Sequence, residues 1–448
     1  MRSRSRGRSG APDGPGSRSR TRGGAPVGVV PAAARAAHGP VAPRLTSRSG
    51  RSGSFHMQQL ILIEVAAALL LAAWVAGPVA LVPGGVVAVV LVLLAVVRLR
   101  GRSLPEWLGT AWALRTRQRR AGSTPVPAGA LPSFAPAVEC DPTLRTYSHG
   151  DRDQRPIGMI GDGGFLTVVL QVESDTTALR AADRGQRPLP VALVRDALVV
   201  DDIRLESAQI LLHTQPAPAL RLPQQSVAVA NYAPLHAPTA APAVRITWIA
   251  LKLDPELCPE AVAARGGGIE GAQKCVARTA LHLASRLTGA GLRTTVLTEE
   301  ELADAVATSA CANPLVTAQA GRAQEPQRRT EESSRSWRCD NRRHTTYWVR
   351  RWPRIDAAAG TGGLPQLVAL LTAVPALATT FSLTLTHAGA REGGISGHVR
   401  VTGRSEAELA AARQALLRTA RETKAGLVPL DHEQLPGMLA TLPFGGAR

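Results

Sequence analysis

The chain has 448 residues, 45% of them hydrophobic, and a formal net charge of +18; that length holds roughly two or three ordinary domains with a full core. The charge invites a nucleic-acid reading, but residues 1–56 carry eleven Arg against Asp13, residues 98–120 carry seven Arg against Glu106, and residues 121–448 retain only +3. A fold that neutralises phosphates gathers its basic residues on its own surface, so no nucleic-acid partner is expected for the folded part.

Residues 1–56 are Arg, Ser, Gly and Pro with little to bury and are expected to form a disordered tail; Met57 is a candidate alternative start. Residues 57–97 are apolar almost throughout, with Gly77, Pro78, Pro83, Gly84 and Gly85 near the middle. That pattern predicts a two-helix transmembrane hairpin, about 58–77 and 79–97, since about 20 residues cross a bilayer. Arginines flank both ends and the turn has none, which places both termini in the cytoplasm. Glu64, in the first turns of span one, is expected to snorkel or to pair with Arg98 or Arg100.

The basic juxtamembrane segment 98–120 follows, with Arg98, Arg100, Arg102, Trp107 and Trp112 as candidates for docking to a partner or to the headgroups. Residues 121–154 are Pro-rich and read as a linker. From 155 the pattern is α/β (α+β): hairpin IGMI–GDGG–FLTVVLQV, helix LPVALVRDAL, strands RLESAQILLHT and VRITWIALKLD, helix GIEGAQKCVARTALHLASRLTGAG, and LTEEELADAVA with Thr298 and Glu301 as a capping box. Residues 309–336 are a polar connection. Residues 337–446 repeat the order with HTTYWVRRW, LPQLVALLTA, ATTFSLTL, GHVRVTG, a helix capped by Ser405 and Glu408, LVPL and DHEQLPGMLA.

Leu297–Thr308 aligns without gaps to Leu430–Thr441, and each follows a helix that ends in Ala-Gly-Leu. Residues 155–308 and 337–446 are therefore read as two duplicated βαββαβ-like halves of one cytoplasmic domain, forming either two adjacent units or one wide sheet.

The chemical inventory is thin. Arg265, Gly266, Gly268 and Gly271 open a helix with GxGxxG spacing, where N–H groups could hold a phosphate. The segment follows a helix-like stretch instead of a strand, and no acid stands about 20 residues on. Five scattered Cys and ten His form no CxxC or HExxH spacing, so no metal, cofactor or catalytic residue is expected.

The hairpin, GRSLPEWLGTAW, PIGMIGDGGFLTVVLQV, RITWIALKLDP with RGGGIEGA, HTTYWVRRWP and LDHEQLPGMLATLPFGG together resemble EccE, the actinobacterial type VII (ESX) secretion component, over about residues 58–446. The resemblance implies a non-catalytic structural subunit in the cell inner membrane, beside EccB, EccC and EccD. The other reading is a membrane-anchored enzyme that takes a nucleotide or phosphorylated substrate at the Arg265–Gly271 turn.

Overall fold

The computed structural model describes residues 57–96, 98–99, 102–123, 130–151, 153–173, 189–215, 244–322, 327–353, 363–387 and 394–446. The expected tail 1–56, together with Arg100, lies outside them, as do the side chains of 57–60, 62, 80 and 94–106.

Two helices, α1 (Met57–Ala76) and α2 (Pro78–Val96), pack as a hairpin. The break falls at Gly77 alone, where φ is +105°, and α2 runs on through Pro83, Gly84 and Gly85. Gly84 is there for close approach: a Cβ on it would lie 2.6 Å from the Ala73 Cβ. Among the described residues no helix is long and apolar enough to cross a membrane, so the expected helical hairpin is present without a demonstrated span. Its described side chains are mostly exposed, Leu71, Trp74, Val75, Val79 and Val82 among them. Glu64 is also exposed.

After a two-residue ribbon, β1 (Arg98–Leu99) with β2 (Arg102–Ser103), come α3 (Leu104–Ser123) and α4 (Ala135–Cys140). Strands β3 (Arg145–Gly150), β4 (Pro156–Gly161) and β5 (Leu166–Val172) precede a helix at Val191–Asp196, the small hairpin β6 (Val199–Val200) and β7 (Ile203–Arg204), then β8 (Ser207–Gln215) and β9 (Val244–Leu253). Helix Gly268–Gly289, β10 (Thr294–Val296) and helix Glu299–Ser309 complete the first half. The second half runs β11 (Thr330–Glu332), β12 (Trp337–Cys339), β13 (Arg342–Arg351), helix Leu364–Thr372, β14 (Ala378–Thr386), β15 (Ile395–Gly403), helix Glu406–Glu422, β16 (Gly426–Pro429) and helix Gln434–Leu439.

All of these strands except the two small ribbons join one antiparallel sheet, in the order β3-β4-β5-β9-β8-β14-β15-β13-β12-β11, with β10 on β5 and β16 on β13. The order reads the same from either edge. Within each half it is the split-βαβ order: fourth strand, first, third, second. The halves meet along β8 and β14, paired from Ser207↔Thr386 to Thr214↔Thr379. One wide sheet, not two adjacent units, is therefore what the chain builds.

Alternation along the strands fills both faces. In β9, Ile249, Leu251 and Leu253 enter one core while Trp248 and Ala250 enter the other, which is why VRITWIALKLD is apolar in both registers. On the first face helix 268–289 sets down Ala272, Cys275, Val276, Ala280, Leu283 and Leu287, an i, i+3, i+4 stripe. On the second face lie α4 and helices 299–309 and 434–439. Leu302, fully buried, and Leu435, partly buried, face that same core from corresponding helices.

Two expected boundaries shift. Residues 121–154, read as a linker for their prolines, contain α4 and the edge strand β3, because Phe134, Ala137, Val138 and Leu144 are core residues. The connection 309–336 contains helix Pro314–Ala320, capped by the Asn313 side-chain Oδ1, which accepts the Leu315 N–H (3.1 Å), and β11.

The seam is closed by two reciprocal straps on the second face. The segment that leaves helix 299–309 lies over second-half strands: the buried Arg400 guanidinium donates to the Ser309 carbonyl and, at 3.0 Å, to Thr380 Oγ1. The segment that leaves helix 434–439 lies over first-half strands: Gln209 Nε2 donates to the Ala440 carbonyl at 2.9 Å. Ser309 Oγ donates to the Thr441 carbonyl at 3.0 Å and joins the straps. Arg400 has no carboxylate partner among the described residues; the carbonyl end of helix 299–309 supplies the negative potential in its place. Burial lowers its pKa to about 10.

Candidate functional site

The α3 helix is where the hairpin meets the sheet, and its seat is built from sequence-distant residues. Trp107, Leu114, Arg117 and Ala121 are buried or half-buried, whereas Leu108, Trp112, Arg115 and Arg119 are exposed. Both sets recur every three or four residues, so each occupies one helix face.

The inner face is fixed at two points. The Trp107 ring meets the His432 ring edge-on, centroids 5.4 Å apart. Arg117 donates to Glu332 through Nε (2.9 Å) and Nη2 (3.0 Å), and Nη2 also donates to the His432 carbonyl at 2.6 Å. The Glu332 carboxylate is 6% exposed and also accepts the Leu435 N–H at 2.9 Å, so one forked, charge-assisted contact joins α3, β11 and helix 434–439. Gln118 Nε2 adds a 2.9 Å bond to the Glu332 carbonyl.

Beneath this seat lies a second buried ionic group. Arg329 donates to Asp340 through Nε (2.9 Å) and Nη2 (2.8 Å), with 5% and 1% of the two side chains exposed. Glu139 accepts the Arg329 and Thr330 N–H groups and the Thr330 hydroxyl, all within 3.0 Å. Burial still raises the Glu139 pKa above the ordinary carboxyl value, against those three bonds and the nearby Arg328. The adjoining Cys140 thiol is pushed far above its usual range by burial and by Glu139.

The sequence-derived candidates are thus divided. Trp107 faces inward and seats α3. Trp112 faces outward, 75% exposed, with Leu108, Arg115 and Arg119 along the same face. The side chains of Arg98 and Arg102, and all of Arg100, lie outside the described residues. Arg117, Glu332 and His432 were missed, although the spacing 107, 114, 117, 121 on a helix would have marked the inner face.

Arg265, Gly266, Gly268 and Gly271 do come together in one turn at the start of helix 268–289. The guanidinium is already engaged: it grips Asp202 with two bonds of 2.7 and 2.8 Å, and Nη1 also donates to the Ala261 carbonyl. That pair holds the Asp202 carboxyl below its ordinary value. Gly266 and Gly268 have φ of +110° and +55°. Gly271 is required by packing, since a Cβ there would lie 2.3 Å from the Val262 carbonyl oxygen. The turn joins two helices to the β6–β7 hairpin, and no group of three or more His, Cys, Asp or Glu able to hold a metal occurs among the described residues.

A single antiparallel sheet made of two split-βαβ halves, carrying a helical hairpin and a seated helix with an exposed aromatic and basic face, defines a mixed α/β protein. Residues 241–349, reaching from just before β9 into β13, match the family described as "Putative type VII ESX secretion system translocon, EccE". The matched segment is roughly a quarter of the chain; of the motifs that carry the resemblance to EccE it includes RITWIALKLDP with the RGGGIEGA turn and most of the HTTYWVRRWP strand. The match supports that resemblance and, with it, a component of a type VII secretion system. No curated protein matches the chain.

Proposed function

We propose that the protein is a non-catalytic, membrane-anchored structural subunit of a type VII secretion machinery, assembling with subunits of the EccB, EccC and EccD kind. The observation that carries this is the EccE match over 241–349. The anchor is the α1–α2 hairpin. Along the sequence this segment carries Glu64 as its one charged residue, the composition that an intramembrane hairpin requires. Both termini are cytoplasmic, with Arg98, Arg100 and Arg102 at the inner boundary. Reporters fused at Gly77, where the hairpin turns, and after Arg448 are expected to read opposite sides of the membrane; the same side from both would remove the two-span anchor.

Docking belongs to the outward face of α3. A tryptophan buries a large apolar area at an interface and arginine adds forked bonds; Trp112 with Arg115 and Arg119 offers both, with no internal partner for the indole among the described contacts. Trp112→Ala is expected to leave the melting temperature within about 2 °C of wild type. Truncation of an interface hot spot commonly costs 2 kcal/mol or more, about a 30-fold weakening, so the variant should leave the larger assembly on native gels while remaining in the membrane fraction. Trp107→Ala acts differently, by loosening α3 from His432, and is expected to lower stability as well. Retention of Trp112→Ala in the complex at wild-type level would place the docking surface elsewhere.

A further inference from the structure

The second strap is bound in an unusual way for the end of a core segment. Residues Leu442 to Gly446 cross the starts of β5 and β8 and the ends of β9 and β14, yet they form no strand ladder with them. Side chains hold their backbone instead. Gln209 Oε1 accepts the Gly445 N–H at 2.9 Å, Ser207 Oγ donates to the Gly445 carbonyl at 2.6 Å, and Thr167 Oγ1 donates to the Phe444 carbonyl at 3.1 Å.

The slot is polar and buried. Thr167, Ser207, Gln209, Lys252 and Thr384 are all at most 4% exposed. Such polar residues are costly to bury unless something satisfies them. Thr384 Oγ1 stands against Gly446 with no hydrogen-bond partner among the described atoms.

What the slot reads in a ligand follows from the same contacts. Its hydrogen bonds go to main-chain atoms, which every peptide has. Selection comes from steric room. Phe444 is buried, and Gly445 and Gly446 have φ of +92° and +105°. A Cβ on Gly445 would lie 2.4 Å from the Lys252 Cβ, and one on Gly446 would lie 2.5 Å from Thr384 Oγ1. An aromatic residue followed by two glycines is therefore the chemistry that fits.

We propose that the slot formed by Thr167, Ser207, Gln209, Lys252 and Thr384 is a peptide-binding site for a partner segment presenting an aromatic residue followed by two glycines, and that the chain's own residues 444–446 occupy it in cis. A tethered segment acts at an effective concentration in the millimolar range, so the wild-type protein screens the site from outside peptide. This reading is independent of the secretion role.

The test uses the full chain with Gly445→Val, which cannot seat its own segment, and a fluorescent peptide of the sequence Thr441–Arg448. Saturable one-to-one binding by the variant, at least tenfold tighter than by wild type, is the expected result. Adding Gln209→Ala should weaken that binding about tenfold or more, and a peptide carrying Val in place of Gly445 should not bind. A folded Gly445→Val variant that ignores the peptide, or binds it equally well without Gln209, overturns the proposal. Should the variant not fold, hydrogen exchange of wild type decides: the Gly445 amide is expected to exchange at least 100-fold faster than the β8 amides, and exchange only with global unfolding overturns the proposal.

Discussion

Stability is expected to fall steeply as the pH drops from 6.5 toward 4. His213, His344 and His398 are all buried on the strap-covered face. Burial lowers the pKa of His213 to about 3, with a further push from Arg400, and that of His398 to about 4; His344 is held well below its ordinary value by burial and by Arg400, Arg342 and His213. In the unfolded chain each takes up a proton near pH 6.5. Below that pH the unfolded state binds protons that the native state refuses, so each histidine contributes stability that is fully present above 6.5 and is lost as the pH falls. One such group costs about 1.4 kcal/mol per pH unit, and three together about 4 kcal/mol per unit. A domain typically has only about 5–15 kcal/mol to lose. Glu139, whose folded pKa is raised, works in the opposite sense once carboxyls protonate, and it is a single group. Urea unfolding between pH 7.5 and 4.5 should show this slope, and His398→Leu should flatten it by about a third. A stability that stays level between pH 6.5 and 5 contradicts the assignment.

The second large effect concerns the ionic group beneath α3. Asp340→Asn is expected to destabilise the fold by about 3 kcal/mol, because removal of one partner leaves the Arg329 guanidinium buried and uncompensated. Asparagine is chosen because residue 340 has φ of +53°, a conformation that Asn tolerates at little cost, so backbone strain does not add to the reading. The Asn313 N–H, which donates to Asp340 Oδ2 at 2.7 Å, can keep an acceptor in the amide oxygen. Chemical denaturation of the two proteins measures the difference. A loss below 1 kcal/mol would mean that water reaches Arg329 and that the pair is not sealed.

Much of the fold was legible because local chemistry and tertiary packing agree. Thr298 and Glu301 form the capping box expected of them. Ser405 caps its helix, although Glu408 reaches back to the Arg404 N–H and not to the cap residue. The GDGG turn is held by Asp162 Oδ1, which accepts the Gly164 and Phe165 N–H groups. The match of Leu297–Thr308 to Leu430–Thr441 placed two helices that do occupy corresponding positions in the sheet order.

The rest depends on partners far apart in sequence. Nothing local in SAQILLHTQ says that its strand pairs with ATTFSLTLT across the seam, and the buried Gln209 and Arg400 are intelligible only once the straps lie over them. The two tryptophans of α3 looked equivalent; Trp107 differs because His432, 325 positions on, meets it. Prolines at 132 and 136 read as a linker because the pockets that take Phe134 and Val138 are made by residues of the sheet.

The central claim is that the protein works as a subunit inside a type VII secretion complex. The most direct measurement is mild-detergent solubilisation of membranes that contain the tagged full chain, followed by quantitative mass spectrometry of what copurifies. Other type VII membrane subunits are expected in fixed ratio to the protein, and the ratio should collapse in Trp112→Ala without loss of the protein from the membrane. Recovery of the wild-type chain on its own, with no such subunits above background, would contradict the account.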